Sequence, residues 1–210
     1  MLTRIKICGI TNRTDALLAA ELGANLLGFN FYPPSPRYIS PADAADIIAS
    51  LPASVITVGV FVNTPADAIG SILAQCPLHM AQLHGDETND DCRQTAELGV
   101  KVIKALRLRQ PDDIRRTAEF DTDTLLLDAF NADLYGGTGH SFDWSWIRQI
   151  DTQQNIFLAG GINPQNVTEA LSVGTYGIDL AGGVEREPGR KDHALMKLLF
   201  ERIAGFQNRY

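Results

Sequence analysis

The sequence predicts a closed (β/α)8 TIM barrel, the α/β fold in which eight parallel strands alternate with helices. The chain alternates eight times between a short apolar run rich in β-forming residues and an amphipathic helical stretch. Such βα repeats are typical of a parallel sheet covered by helices. No shift in composition marks a linker, so residues 1–210 are expected to form a single barrel domain. The same pattern is also compatible with an open, doubly wound sheet, which is the alternative fold.

The predicted strands are mostly continuous apolar runs, as expected for strands that are covered on both faces. In order they are Arg4–Cys8, Leu26–Phe31, Ile56–Val62, Met80–Leu83, Lys101–Leu106, Thr124–Asp128, Ile156–Ala159 and Tyr176–Leu180.

Four helices are predicted to begin where a polar residue precedes a proline. A polar side chain can accept a hydrogen bond from the first turn, and proline fits the first helical position. The four starts are Ser40-Pro41, Thr64-Pro65, Gln110-Pro111 and Asn163-Pro164. Gly23, Gly99 and Gly174 are predicted to end helices, because glycine adopts the left-handed conformation that commonly stops one.

Composition and charge limit the kinds of partner that the protein can have. The chain is 45% hydrophobic and 20% charged, which excludes intrinsic disorder, and its formal net charge is −7. The overall electric field therefore repels nucleic acid and anionic lipid. We expect a small-molecule partner, and any phosphate on it would be held by backbone amides or a few arginines.

The cysteines and the amino terminus predict a cytoplasmic protein. Cys8, Cys76 and Cys92 form no CxxC pair, so neither a disulfide framework nor a zinc site is expected. Charges at Arg4 and Lys6 interrupt the amino-terminal segment, which therefore lacks the apolar core of a signal peptide. No apolar run approaches the roughly 18 residues that a membrane helix needs.

The carboxyl ends of all strands in a parallel barrel meet at one rim, so polar residues at these ends are brought together. Cys8 ends the first predicted strand and precedes Gly9, which allows another group to approach closely. In an electropositive setting its thiol can act as a base or nucleophile. The alternative is that Cys8 is a small buried apolar residue, as expected for Cys76 and Cys92.

Asp128 places a carboxyl group at the end of the sixth predicted strand, after Leu125-Leu126-Leu127. A carboxyl group at the end of a buried strand is suited to donate a proton. The alternative is a cap or an ion-pair partner for the next loop. Asp179 lies near the end of the eighth strand, where the small residues that follow it predict a structural role.

Glycines follow each of the last three predicted strands. They are Gly136, Gly137 and Gly139 after the sixth strand, Gly160 and Gly161 after the seventh, and Gly182 and Gly183 after the eighth. Glycine loops expose backbone N–H groups to anions, and barrels often bind phosphate with their last loops. Neither the Walker pattern nor the dinucleotide fingerprint occurs, so a phosphorylated small molecule is favoured over a nucleotide cofactor.

Arg37 is the best candidate for a carboxylate or phosphate clamp, because prolines stiffen its loop and limit the freedom of the guanidinium. An ordinary surface arginine is the alternative. Gln82 and His84 alternate along the fourth strand and face the same side. His84 is either a ligand contact or a structural histidine. The other histidines lack metal-ligand spacing, so we predict no metal site.

Eight groups of residues at the predicted strand ends form an ordered set. They are Lys6-Ile7-Cys8-Gly9-Ile10-Thr11; Gly28-Phe29-Asn30-Phe31 with Ser35-Pro36-Arg37-Tyr38; Val58-Gly59-Val60-Phe61; Gln82-Leu83-His84-Gly85; Leu127-Asp128; Gly136-Gly137-Thr138-Gly139 with Phe142-Asp143-Trp144; Leu158-Ala159-Gly160-Gly161-Ile162; and Gly183-Val184-Glu185 with Pro188-Gly189 and Lys191-Asp192. In this order they resemble the phosphoribosylanthranilate isomerase family, tryptophan-pathway barrel enzymes, over almost the whole chain.

The resemblance implies a cofactor-free isomerase, monomeric or homodimeric. Its reaction is the Amadori rearrangement of N-(5-phosphoribosyl)anthranilate to 1-(2-carboxyphenylamino)-1-deoxyribulose 5-phosphate. The resemblance makes Asp128 the general acid and Cys8 the general base, with Arg37 on the anthranilate carboxylate. It places the phosphate on the backbone of Gly137, Gly160 and Gly183 with their neighbours. Ala181-Gly182 departs from the family's usual serine pair, which leaves more of the phosphate contact to backbone donors.

Two other functions are weighed against this one. The histidine-pathway isomerase family performs the same rearrangement on a different substrate, but it is expected to use two aspartates, so Cys8 argues against it. A catalytically silent phosphate-binding barrel would have lost Cys8 or Asp128, and both are present.

Overall fold

The computed structural model describes residues 3–129, 143–150 and 152–208. Its eight parallel strands pair in sequence order, and the last pairs with the first to close a barrel. The strands are β1 Arg4–Cys8, β2 Leu26–Asn30, β3 Ile56–Phe61, β4 Met80–Leu83, β5 Lys101–Leu108, β6 Thr124–Ala129, β7 Asn155–Leu158 and β8 Gly177–Leu180. The predicted (β/α)8 barrel is confirmed, and ring closure excludes the open sheet.

Helices cover the outside of the barrel. The α-helices are α1 Arg13–Leu22, α2 Pro41–Ile48, α3 Ala66–Leu73, α4 Asn89–Ala96, α5 Val167–Ser172 and α6 His193–Gln207. The segments Pro111–Glu119 and Trp144–Gln149, which follow β5 and β6, are 3-10 helices. In the described part of the chain, no helix is both long and apolar enough to cross a membrane.

The predicted helix starts are confirmed in part. Ser40 caps α2, since its side chain accepts a hydrogen bond from the Asp43 N–H. The start at Thr64 is wrong by one residue, because the Thr64 hydroxyl donates to the Val62 carbonyl and Pro65 becomes the residue before α3. A local turn formed by the hydroxyl competes here with helix capping.

The two later starts also differ from the prediction. Gln110 precedes a 3-10 helix instead of an α-helix, and the Asp113 carboxylate accepts from the Gln110 N–H. Asn163 accepts from the Gln165 N–H within a turn, so α5 begins only at Val167. The three predicted helix-ending glycines are confirmed: Gly23, Gly99 and Gly174 have φ angles of 107°, 84° and 81°.

The hydrophobic residues form two clusters that follow the alternation of side chains along the strands. The larger cluster lies between strands and helices and includes Ile5 and Ile7. The smaller one fills the barrel and consists of Leu26, Val58, Ile103, Ala105, Leu126, Phe157 and Ala159. In β1, Lys6 and Cys8 alternate with Ile5 and Ile7. Because the two isoleucines face the helices, Lys6 and Cys8 point into the barrel.

A short hairpin extends from the end of β8. Its antiparallel strands are β9 Glu185–Glu187 and β10 Arg190–Lys191. The Thr11 hydroxyl donates to the Gly189 carbonyl, and the Lys191 N–H donates to Asp15 at 2.8 Å. The hairpin therefore connects the end of the last barrel strand to the loop and helix that follow the first.

Candidate active site

An open cleft lies at the carboxyl ends of the strands. It brings together residues from both ends of the sequence, as the barrel topology requires. The predicted site residues that line it are Cys8, Arg37, His84, Asp128, Gly160, Gly161, Gly182 and Gly183. Two predicted residues do not appear in this lining: Gln82 lies behind His84, and Gly137 falls outside the described residues.

Cys8 occupies its position because its neighbour on β2 has no side chain. Cys8 pairs in register with Gly28. A Cβ atom on Gly28 would lie 2.7 Å from Cys8 Sγ and 3.2 Å from Lys6 Nζ. The absence of a side chain at Gly28 therefore leaves room for the Cys8 thiol and the Lys6 ammonium group, which both lie next to this position.

Lys6 forms a buried ion pair with Asp179. The two residues pair in register between β1 and β8, and Lys6 Nζ donates to Asp179 Oδ1 at 2.8 Å. The side chains are 0% and 8% exposed, so water screens their charges weakly. Asp179 lines the cleft, whereas its sequence context suggested only a structural role.

The thiol of Cys8 titrates under opposing influences. Burial raises its pKa, the positive charge of Lys6 lowers it, Asp179 raises it and Lys191 lowers it, and the net pKa is above the ordinary value. Lys6 and Lys191 supply the positive charge that a thiolate base requires. Burial and the charge of Asp179 together outweigh the two lysines, which is why the pKa of the thiol lies above the ordinary value.

Asp128 faces His84 at the end of β6. The distance between His84 Nε2 and Asp128 Oδ2 is 3.3 Å, and both side chains are buried. Gln82, which is 1% exposed, contacts the other ring nitrogen: Gln82 Nε2 and His84 Nδ1 are 2.7 Å apart. When the amide nitrogen donates to Nδ1, the proton of the neutral ring is on Nε2, a buried atom that lies near Asp128 without forming a hydrogen bond to it. The predicted common orientation of Gln82 and His84 is confirmed.

Arg37 reaches the cleft from a tight loop after β2. Its N–H donates to Ser35 Oγ at 3.2 Å, and the same hydroxyl accepts from Asn30 Nδ2 at 3.1 Å. A Cβ atom on Gly9 would lie 2.6 Å from Arg37 Cδ, and Gly9 has a φ of 75°. The expectation that Gly9 permits a close approach is therefore confirmed, and the approaching group is Arg37.

Glu185 joins Arg37 to Lys191. The Arg37 Nε and Nη2 atoms donate to the Glu185 carboxylate at 3.0 and 2.7 Å, and Lys191 Nζ donates to it at 2.9 Å. Lys191 Nζ also donates to the Cys8 carbonyl at 2.6 Å. Burial raises the pKa of Glu185, but its hydrogen bonds to Arg37 and Lys191 outweigh burial and hold the pKa below the ordinary value.

The glycine loops after β7 and β8 approach each other at the rim. Gly160 and Gly161 have φ angles of 90° and 68°, a region that favours glycine. The backbone of Gly183 packs against the loop after β7. A Cβ atom on Gly183 would lie 1.9 Å from the Ile162 carbonyl oxygen. Gly183 belongs to the short 3-10 helix Gly182–Val184, which follows β8. These loops can direct backbone N–H groups at an anion.

Sequence reasoning missed Lys6, Glu185 and Lys191 as parts of the site. For Lys6 a signal was available, since a lysine at the same alternating positions as Cys8 must point into the barrel. Glu185 and Lys191 carried no such signal, because they lie in a hairpin beyond the last barrel strand. Among the described residues, no group of three or more His, Cys, Asp or Glu side chains is arranged to hold a metal ion.

Comparisons with known proteins agree with this geometry. A family profile described as N-(5'phosphoribosyl)anthranilate (PRA) isomerase matches residues 5–202. An N-(5'-phosphoribosyl)anthranilate isomerase from Trichlorobacter lovleyi is 46% identical over 90% of this chain and 92% of its own. The phosphoribosyl anthranilate isomerase structure from Thermus thermophilus superposes with a TM-score of 0.90 at 37% identity, covering 97% of this chain and 99% of its own.

A further solved phosphoribosyl anthranilate isomerase is in complex with reduced 1-(o-carboxyphenylamino)-1-deoxyribulose 5-phosphate. It superposes with a TM-score of 0.85 at 40% identity, covering 97% of this chain and 99% of its own. The match of the family profile to nearly the whole chain, together with this level of identity, places the chain in the N-(5'-phosphoribosyl)anthranilate isomerase family.

Proposed function

We propose that the protein isomerises N-(5'-phosphoribosyl)anthranilate to 1-(2-carboxyphenylamino)-1-deoxyribulose 5-phosphate, the Amadori rearrangement of tryptophan biosynthesis. The observation that carries the proposal is that Cys8 and Asp128 line one cleft whose rim is formed by the glycine loops after β7 and β8. A thiol, a carboxyl group and an anion-binding rim are the groups that an acid–base isomerisation of a sugar phosphate requires.

Asp128 is the proposed general acid. It donates a proton to the furanose ring oxygen while the bond between that oxygen and C1 breaks, and the lone pair of the anthranilate nitrogen forms a protonated imine. His84, 3.3 Å away, is placed to orient the carboxyl group, and Gln82 holds the imidazole from behind. In this proposal Gln82 acts through His84 and does not touch the substrate.

Cys8 is the proposed general base. Its thiolate removes the proton from C2, which the neighbouring protonated imine makes acidic, and the electron pair moves through C1 to nitrogen to give an enolamine. Loss of the enol proton and addition of a proton at C1 then give the aminoketose. Overall, one proton has moved from C2 to C1 and a second from the C2 hydroxyl to the former ring oxygen, so Asp128 and Cys8 return to their starting forms and the atoms balance without an added cofactor.

The remaining predicted residues are proposed to bind the substrate. Arg37 is placed at the cleft to pair with the anthranilate carboxylate, because a guanidinium forms two parallel hydrogen bonds with a carboxylate. The phosphate is assigned to backbone N–H groups of Gly160, Gly161, Gly182 and Gly183, and to Gly137, which lies outside the described residues. Ala181 and Gly182 offer no hydroxyl, so backbone donors carry this contact.

We further propose that residues 1–210 act as one catalytic domain in the cytoplasm. The three cysteines are unpaired, which agrees with a reducing compartment. The monomer and the homodimer are both compatible with the barrel, and sedimentation velocity of the purified protein distinguishes them.

The experiment that tests the function is turnover of freshly generated N-(5'-phosphoribosyl)anthranilate, followed by the loss of its fluorescence. We expect turnover by the purified chain, and a fall in kcat of roughly 10²–10⁴-fold in Asp128→Asn and in Cys8→Ala. Binding of the reduced product without turnover supports the silent barrel instead. Absence of both, with turnover of the histidine-pathway substrate, supports that isomerase. A kcat within a few fold of wild type in either variant contradicts the assigned roles.

A further inference from the structure

We propose that Lys6, held by Asp179 in the barrel interior, is a positioning residue that presents a fixed positive charge to the sulfur of Cys8. The inference rests on the proposed function, in which Cys8 is the base. It assigns a role to two residues that the acid–base mechanism does not otherwise use. Lys6 acts through the thiol and not on the substrate, since its side chain is completely buried.

The geometry places the ammonium group beside the thiol. Lys6 and Cys8 alternate on β1, so both enter the barrel on the same side. Their Nζ and Sγ atoms lie within 3.2 Å of one point, the position that a Gly28 side chain would occupy. The ammonium charge lowers the pKa of the thiol, and the thiolate charge raises the pKa of the lysine. A positive charge at this distance in a weakly polarisable interior favours the thiolate over the thiol.

Asp179 keeps the lysine charged and in place. Burial lowers the pKa of Lys6, but the charge and hydrogen bond of Asp179, together with the influence of Cys8, outweigh burial, and the net pKa is above the ordinary value. The lysine therefore retains its proton throughout the neutral range. Asp179 itself raises the pKa of Cys8, whereas Lys6 lowers it. Substituting either residue is therefore expected to change the pKa of the thiol, in opposite directions.

The other charged groups around Cys8 come from several elements. Lys191 of β10 contacts its carbonyl oxygen, Arg37 after β2 packs beside Gly9, and Glu185 of β9 pairs with both cations. His84 and Asp128 line the same cleft across from it. The charge of Lys191 also lowers the pKa of the thiol, but less than that of Lys6, and the hydrogen bond of Lys191 to Cys8 is with the backbone carbonyl.

The test is the rate of Cys8 alkylation by iodoacetamide as a function of pH, measured by mass spectrometry of the Cys8 peptide. Only the thiolate reacts, so the profile reports the pKa of the thiol. Cys76 and Cys92 are separated by their peptides, and burial raises the pKa of each to about 11. Cys8→Ser removes the signal and identifies it.

The two single variants are expected to move alkylation in opposite directions. Lys6→Met removes the favourable charge and slows alkylation at pH 8 by about tenfold, which corresponds to one pKa unit. Asp179→Asn removes the negative charge that opposes ionisation of the thiol. Lys6 then pairs with the Cys8 thiolate alone, and alkylation is expected to accelerate. If the substitutions only disturbed packing, the alkylation rate would change in the same direction in both variants. Lys101→Met, an exposed lysine on β5, is the matched control and keeps the wild-type profile.

Removing one member of a buried ion pair lowers stability because the other charge is left unpaired. The double variant Lys6→Met/Asp179→Asn avoids this, since it removes both charges. It is expected to alkylate more slowly than wild type, because the effect of Lys6 on the thiol exceeds that of Asp179. A wild-type rate in the double variant, or a change of the same sign in both single variants, overturns the inference.

The same shifts are expected in the acidic limb of the kcat/KM profile. Alkylation requires no substrate, so it separates the two proposals. Lack of turnover by wild type contradicts the proposed function alone, and an alkylation profile that does not respond to Lys6 contradicts this inference alone.

Discussion

Arg37 and Glu185, which are 148 positions apart in sequence, form a doubly hydrogen-bonded ion pair at the mouth of the cleft. The guanidinium donates through Nε and Nη2, and the carboxylate also accepts from Lys191. The pair joins the loop after β2 to the hairpin after β8. An arginine held in this way keeps one orientation toward a ligand, which lowers the entropic cost of binding.

Glu185→Gln is therefore expected to weaken substrate binding. The amide cannot neutralise Arg37 and Lys191, and the loss of a charge-assisted hydrogen bond corresponds to about 1.5–3 kcal/mol. We expect kcat/KM for N-(5'-phosphoribosyl)anthranilate to fall roughly ten- to hundredfold, mainly through a higher KM. Steady-state kinetics check this, with Glu187→Gln, an exposed carboxylate on the same strand, as the control. An unchanged KM would show that Arg37 is held by other contacts.

Gly9→Ala is expected to displace Arg37. The new Cβ atom would lie 2.6 Å from Arg37 Cδ, and the φ of 75° is strained for alanine by about 1–2 kcal/mol. We expect a fall in kcat/KM of at least about tenfold, together with a lower melting temperature. Gly23→Ala is the matched control, because its φ is also left-handed but nothing lies within 4 Å of the added atom. Equal kinetic losses in both variants would contradict the contact.

Gly183→Ala is expected to separate the glycine loops after β7 and β8, to which the phosphate is assigned in the proposed function. The new Cβ atom would lie 1.9 Å from the Ile162 carbonyl oxygen, and backbone cannot rotate away as a side chain can. Overpacking of this kind typically costs about 1–3 kcal/mol. Inhibition by inorganic phosphate should weaken, measured as a higher inhibition constant. Gly205→Ala, in open space on α6, should leave that constant unchanged. The opposite ranking would place the phosphate elsewhere.

Asp15 is expected to contribute to stability in a pH-dependent way. Burial raises the pKa of Asp15, but hydrogen bonds from the Lys191 N–H, Asn12 and His193 outweigh it, so the net pKa is below the ordinary value. A carboxylate with a lowered folded-state pKa stabilises the protein above its unfolded-state pKa of about 3.9. That stability is lost as the pH falls through the folded-state pKa.

Urea unfolding at pH 7 and at pH 3 measures this contribution. Asp15→Asn should lower the free energy of unfolding at pH 7 by about 1–3 kcal/mol, and its stability should fall less steeply between the two pH values than that of wild type. Asp46→Asn removes an exposed carboxylate from α2 and serves as the control. Parallel losses in wild type and Asp15→Asn would contradict the role.

Much of the barrel was predictable because its signals are local. Apolar runs and helix-ending glycines depend on neighbouring residues, and the bounds of β1 and β4 agree with those expected. The helix starts at Thr64 and Asn163 were wrong for an equally local reason. A hydroxyl or amide side chain can complete a turn with nearby backbone instead of capping a helix, and the sequence alone does not distinguish these outcomes.

The sequence by itself determined the eight βα repeats and, through strand alternation, which side chains enter the barrel and which strand ends carry a thiol and a carboxyl group. Only the tertiary structure decided their electrostatic partners. Lys6 meets Asp179 across 173 positions because closure of the ring brings β8 beside β1. Charge interactions depend on distance in space and on burial, and both are set when the barrel closes.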